Sequence, residues 1–332
     1  MKKLCRLLCL ILIVCLSIGM LAACGGDDDD DGGSKKKKSD KDSSSESSKD
    51  KDKDKDKDTG KDKDKDKDKD KPSKVNYTLA DQVIYENDEF AFTVVKADED
   101  DFWGFELKLL CENKTSDKKL TFSMDDVSVN GYRLDPYWST DVAAGKKENS
   151  NAYFNTDRFK DIGITSADAI QFTLRVYDSD NWWDEGDKLK ETFTIYPTGL
   201  SAGEVKIPER RKTSTEQVVV NDDQFTAIIL DNVYDEVWGY TVNFYFENNS
   251  DKKVSFNFDD VSVNGYMLDP YFTVTLAPGM KAYDSMSFSD TRLKDSNITK
   301  VEEIEYKIRI YDPNDWMSDN LYEATQTYKP AD

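Results

Sequence analysis

From about Asn76 onward, apolar and polar residues alternate one by one in short runs. "FAFTVVKA" (90–97), "FELKLLCEN" (105–113), "KLTFSM" (119–124), "AIQFTLRVYD" (169–178) and "KETFTIYP" (190–197) each predict a strand of about four to eight residues. A period of two is that of a strand with one buried face. The second half answers with "FTAIILDNV" (225–233), "YTVNFYFEN" (240–248), "KVSFNF" (253–258), "EIEYKIRIYD" (303–312) and "EATQTY" (323–328). No long stretch has helical spacing. "DIGITSADAI" (161–170) and "KDSNITKVEEI" (294–304) have room for one helical turn each at most.

The two halves are copies of each other. "DDVSVNGYRLDPY" (125–137) returns as "DDVSVNGYMLDPY" (259–271), differing only at Arg133 and Met267. Weaker matches extend the repeat. Trp103-Gly104 answers Trp238-Gly239, Glu112-Asn113 answers Glu247-Asn248, Phe154 answers Phe288, and Arg175-x-Tyr177-Asp178 answers Arg309-x-Tyr311-Asp312. A unit of about 120 residues is long enough to enclose its own core, so the repeat predicts two domains rather than a solenoid. The expected layout is domain 1 over 75–197, a linker over 198–214 and domain 2 over 215–330. The linker is rich in Pro, Gly, Ser and Thr, which leaves the angle between the domains open.

Turn chemistry explains much of the duplicated stretch. Asn130-Gly131 lies between alternating runs, and both residues reach positive φ at little steric cost, so the stretch predicts a β-hairpin. Asp135-Pro136 then ends strand pairing. Many short strands with regular turns and no long helix predict an all-β chain of two β-sandwiches, immunoglobulin-like in topology.

The N-terminus has a different character. Lys2, Lys3 and Arg6 precede an apolar run from Leu7 to about Leu21, the layout of an export signal. Residues 1–23 are read as that signal. It ends in "LAAC", which resembles a bacterial lipoprotein lipobox, and the resemblance implies cleavage before Cys24 and acylation of that residue. Two or more acyl chains hold a protein at a bilayer for long times. Residues 24–74 continue with a stretch of Lys-Asp alternation that offers neither a helix nor a strand anything to bury, so it is expected to be a disordered stalk. Its root-mean-square reach is on the order of 40 Å and its taut length on the order of 160 Å.

Composition narrows the chemistry. Residues 25–72 carry 16 lysines against 18 acids and the leader three basic residues, so the whole of the net charge of −21 is accounted for by the part from Ser73 onward. A body that acidic repels phosphate backbones, and no nucleic-acid partner is expected. There are no histidines, which removes Ser-His-Asp and Cys-His catalysis and His-ligated zinc or haem. Of five cysteines, Cys5, Cys9 and Cys15 leave with the signal and Cys24 is the lipidation site. Only Cys111 remains, where the second copy has Phe246, so it reads as a small buried hydrophobe.

Two candidate sites stand out. The acidic loop "YDSDNWWDEGD" (177–187) offers Asp178, Asp180, Asp184 and Asp187 as oxygen ligands for calcium, and Asp312 and Asp315 repeat part of the set in "YDPNDWMSDN". The alternative is a solvated acidic loop, because the spacing lacks the central Gly and terminal Glu of an EF-hand. The second candidate is aromatic: Trp182, Trp183 and Trp316 near strand ends suit stacking on sugar rings. Against that, tryptophans are ordinary core residues of sandwiches. Trp183, answered by Met317, is the ring expected to be exposed. Carboxylates suffice for glycoside hydrolysis, but no pair is singled out and no "GxSxG" occurs, so no enzyme is expected.

The pattern "DDVSVNGYxLDPY", then "APG" (277–279), then "IRIYDxxxW", resembles an uncharacterised immunoglobulin-like domain of Gram-positive bacterial lipoproteins. Copy one departs with "AAG" at 143–145. The resemblance implies tandem non-catalytic modules on the extracytoplasmic face of the cell membrane. The partner expected through Cys24 is the lipid bilayer, and a cell-surface or extracellular protein or glycan is the candidate for a further one.

Overall fold

The computed structural model describes residues 75–330 apart from 101–103, 236, 271 and 316. The signal, Cys24, the stalk and Trp316 lie outside the described residues. The fold is all-β. In the first copy the strands are β1 (Ala80–Glu86), β2 (Phe90–Asp100), β3 (Gly104–Asn113), β4 (Leu120–Val129), β5 (Tyr132–Arg133), β6 (Ser139–Val142), β7 (Lys147–Phe154), β8 (Ile170–Asp178) and β9 (Asp187–Ile195). They form two antiparallel layers, β1-β2-β3-β7 and β4-β8-β9, with β5 and β6 pairing β4. Side chains from both layers, among them Phe92, Leu107, Phe122, Phe172 and Leu174, meet in one core.

The second copy repeats this strand for strand. Its strands are β10 (Gln217–Asn221), β11 (Phe225–Asp235), β12 (Gly239–Asn248), β13 (Val254–Val263), β14 (Tyr266–Met267), β15 (Thr273–Leu276), β16 (Lys281–Phe288), β17 (Ile304–Tyr311) and β18 (Tyr322–Tyr328). The layers are β10-β11-β12-β16 and β13-β17-β18, with β14 and β15 on β13. Phe244, Phe246, Phe256, Phe258 and Ile308 fill its core.

Among the described residues helices are few and short, and not where expected. They are α1 (Thr156–Ile162), α2 (Trp182–Glu185) and α3 (Asp290–Asp295). α1 and α3 begin ahead of the stretches expected to hold a turn. Their starts are set by caps: the Asn155 side chain accepts from Asp157 N–H, and the Ser289 hydroxyl from Arg292 N–H. Each then buries a small apolar stripe, Phe159 and Ile162 in α1 and Leu293 in α3.

The duplicated hairpin forms as expected. Asn130 and Gly131 have φ of 47° and 82°, Asn264 and Gly265 of 50° and 80°, and Val129 pairs Tyr132 as Val263 pairs Tyr266. The asparagine also clamps a distant loop. Asn130 Nδ2 donates to Ser166 O, and its Oδ1 accepts from Asp168 and Ala169 N–H. Asn264 does the same with Lys300 O and the Glu302 and Glu303 N–H groups. Part of the identity between copies therefore comes from one side chain tying the hairpin to the entry of β8 or β17.

The segment expected to be a free linker is not free. β16 of the second copy pairs in parallel with β5 of the first, at Lys281 and Tyr132, and Lys281 N–H donates to Gly131 O at 2.9 Å. One sheet thus runs through both copies, and the two lie in one compact unit. Tyr132 stacks on Tyr283 at 5.7 Å with planes 1° apart, and its hydroxyl donates to Pro208 O at 2.9 Å. Arg211 N–H donates to the Tyr283 hydroxyl, and the Arg210 guanidinium lies 5.6 Å from the Tyr245 ring centre. Ile228, Leu230 and Tyr245 of the second copy join the first copy's core. Arg133 pairs with Asp284 at 2.5 Å and Asp126 with Lys253 at 2.6 Å across the seam. The physical reason is burial on both faces of β11. Phe225–Leu230 is buried at six consecutive positions, so its second face needed a partner.

Candidate functional site

The acidic loop follows β8 and contains α2. Asp178 is buried, and its Oδ1 accepts from Asp180 N–H at 3.0 Å while Oδ2 accepts from Asn181 Nδ2 at 3.3 Å. The Asp180 N–H, then the Asn181 amide and Lys118, hold its carboxyl below the usual carboxylate range. Asp178 is thus the acceptor of a turn that ends the strand. Asp312 has the same place in the second copy, accepting from Asn314 N–H at 2.9 Å.

The remaining acids do not converge. Asp187 pairs with Arg175 at 2.6 Å, while Asp180 and Asp184 are exposed. Lys118 lies 2.6 Å from Glu185 and 3.8 Å from Asp178, so a lysine already supplies positive charge to this loop. Asp315 is exposed, and its N–H donates to Asp312 O. Among the described residues no three His, Cys, Asp or Glu stand together to hold a metal.

The aromatic candidates are better placed. Trp182 and Trp183 lie with ring centres 3.6 Å apart and planes 30° apart, and they are 38% and 72% exposed. Trp138 instead packs against Phe92 at 5.8 Å and donates from Nε1 to Ser150 Oγ, as a core residue does. Trp238, matched to Trp103 in the repeat, is 66% exposed at the β11–β12 turn. Cys111 is buried between the layers, where desolvation pushes its thiol pKa up and away from nucleophilic chemistry.

One feature carried no motif. Beside α3 a groove of about 870 Å³ is lined by Tyr234, Tyr240, Leu293, Ile298, Val301 and Pro330. The Tyr240 hydroxyl is buried there without a hydrogen-bond partner. In the first copy the matching place is taken by Tyr77, whose ring lies 4.9 Å from Phe105. The sequence did hold a signal for this: at the offset that aligns the strands, Tyr77 is answered by Lys212.

No family model matches the chain, and no curated protein matches it either. Among solved structures, the Amycolatopsis orientalis exo-chitosanase CsxA is similar at 14% identity and a TM-score of 0.21, over 67% of this chain and 25% of that one. Red sea bream transglutaminase is similar at 11% identity and a TM-score of 0.18, over 74% of this chain and 31% of that one. This chain spans about a quarter to a third of the length of those proteins, and likenesses at such scores bear on neither its fold nor its activity.

Proposed function

We propose that this chain is an exported lipoprotein, held by an acylated Cys24 on the extracytoplasmic face of the cell membrane. There it presents two tandem immunoglobulin-like modules as a non-catalytic binding or structural unit. The observation that carries this reading is the order of the parts. A leader ending in "LAAC" is followed by a charged stretch with nothing apolar to bury, and then by a β-sandwich unit built twice. Anchoring raises the effective concentration of the module at the envelope. The seam between the copies supports a single rigid reader with two faces rather than two independently swinging arms.

The reading is tested by detergent-phase partition of the full chain made in a bacterium that processes lipoproteins. The wild type is expected in the detergent phase and Cys24→Ala in the aqueous phase or the medium. Retention of Cys24→Ala in the detergent phase would remove the lipid anchor from the account.

The exposed pair Trp182–Trp183 favours a second reading, a carbohydrate-binding surface at the α2 loop. A glycan array with the full chain is the measurement. A retained sugar should lose about tenfold or more in affinity in Trp183→Ala, a loss of about 1.4 kcal/mol, because the substitution removes the apolar ring face on which the sugar would pack. Binding that survives the substitution would place the sugar elsewhere.

A further inference from the structure

The groove beside α3 is the open counterpart of a slot that the first copy fills with its own chain. There, Thr78 and Leu79 N–H both donate to Pro197 O, at 2.8 and 3.1 Å. The Tyr77 ring lies against Phe105, and its hydroxyl accepts from Ala167 N–H at 3.4 Å and reaches Glu99 at 3.5 Å. Leu79 completes the core beneath. The second copy keeps the receiving side: Tyr240 stands for Phe105, Val301 for Ala167, and Pro330 for Pro197.

Two changes leave it open. The lead-in to β10 is held at the seam, where Arg211 N–H donates to the Tyr283 hydroxyl and Thr213 Oγ1 bonds Leu230 O, and Lys212 is exposed. Leu293 also replaces Phe159, whose ring fills space 6.1 Å from Phe105 in the first copy. Val237 and Trp238 stand exposed on the turn that joins the strands bearing Tyr234 and Tyr240.

We propose that this groove binds an extended peptide segment of a partner protein, whose tyrosine takes the place that Tyr77 takes in the first copy. The first copy is the template for the chemistry. The ring would lie on Tyr240, the peptide N–H groups would meet Pro330 O, and a polar group would satisfy the buried Tyr240 hydroxyl. The chain's own tether does not supply the segment, because residues 25–74 contain no aromatic residue. This deepens the binding-module reading and rests on it, and the two fail independently, since Cys24 partition does not depend on the groove.

The probe is a fluorescent hexapeptide with the sequence of residues 75–80, VNYTLA, titrated into the full chain and followed by anisotropy. Saturable binding is expected, weakened about tenfold or more when the peptide tyrosine is replaced by alanine. Thr299→Trp places a ring across the groove from an exposed position and is expected to cost as much, with the melting midpoint unchanged. Absence of saturation, equal binding of the alanine peptide, or full binding to a folded Thr299→Trp protein would each overturn the proposal. A concentration-dependent dimer that excludes the peptide would also overturn it, because the groove would then belong to a second copy of this chain.

Discussion

Gly239→Ala is expected to destabilise the second copy by about 3 kcal/mol or more, a fall of roughly 6–12 °C in the thermal midpoint. Gly239 opens β12 at φ 82°, in the left-handed region that costs a residue with a Cβ about 1–2 kcal/mol. A Cβ there would also stand 2.3 Å from Phe288 O and 3.0 Å from Asp290 N. Both are backbone atoms, so the strain cannot be relieved by turning a side chain. It must displace the end of β16 and the start of α3. The first copy supplies the control. A Cβ on Gly104 meets Phe154 O at 3.0 Å and the Thr156 side chain at 2.9 Å, so Gly104→Ala should lose less. Melting followed by far-ultraviolet circular dichroism separates the two, and equal midpoints would show that the close backbone approach is not what matters.

Asn248→Ala should cost about as much by a different route. Asn248 is fully buried, and all its polar capacity is engaged: Nδ2 donates to Lys252 O at 2.8 Å and to Leu276 O at 3.0 Å, while Oδ1 accepts from the Ser250 N–H and hydroxyl. Removing the amide strands these partners, and a buried group left unpaired costs about 1–3 kcal/mol. A loss of about 3 kcal/mol is therefore expected, although the side chain touches no ligand site. Asn113 repeats the arrangement with Lys118 O, Val142 O and Thr115, so Asn113→Ala should match it. A loss below about 1 kcal/mol at both positions would mean that water replaces the amide at little cost.

The seam gives the repeat its functional consequence. Surface ion pairs such as Arg133–Asp284 contribute little, about 0–1 kcal/mol each. The apolar bodies of Ile228, Leu230 and Tyr245, removed from water against the first copy's core, contribute more. Arg133 is the one position at which the duplicated stretch differs, and its counterpart Met267 is exposed on a hairpin that meets no second copy. The substitution is thus explained by location: the same hairpin is a seam in one copy and a free tip in the other.

Much of the fold was legible because its signals are local. The alternating runs became β2, β3, β4, β8, β9 and their partners, and Asn130-Gly131 and Asn264-Gly265 turned as their steric freedom requires. The strands that were missed are those with weak alternation. β7, "KENSNAYF", is the outer strand of its layer and buries only Ala152 and Phe154. At the candidate sites, residue types were legible but not their partners. Asp178, Asp180, Asp184 and Asp187 are close in sequence, yet one caps a turn, one pairs with an arginine and two face water.

The amino-acid order by itself determined the strongly alternating strands, the twofold repeat, the hairpin and the acidity of the body, because each follows from neighbouring residues and backbone sterics. Only the tertiary structure decided that β11 is covered on both faces, that the segment before β10 is drawn into a seam, and that the second copy keeps an open groove where the first holds Tyr77. A period of two says that one face of a strand is buried. It does not say against what, and that choice depends on residues more than a hundred positions away.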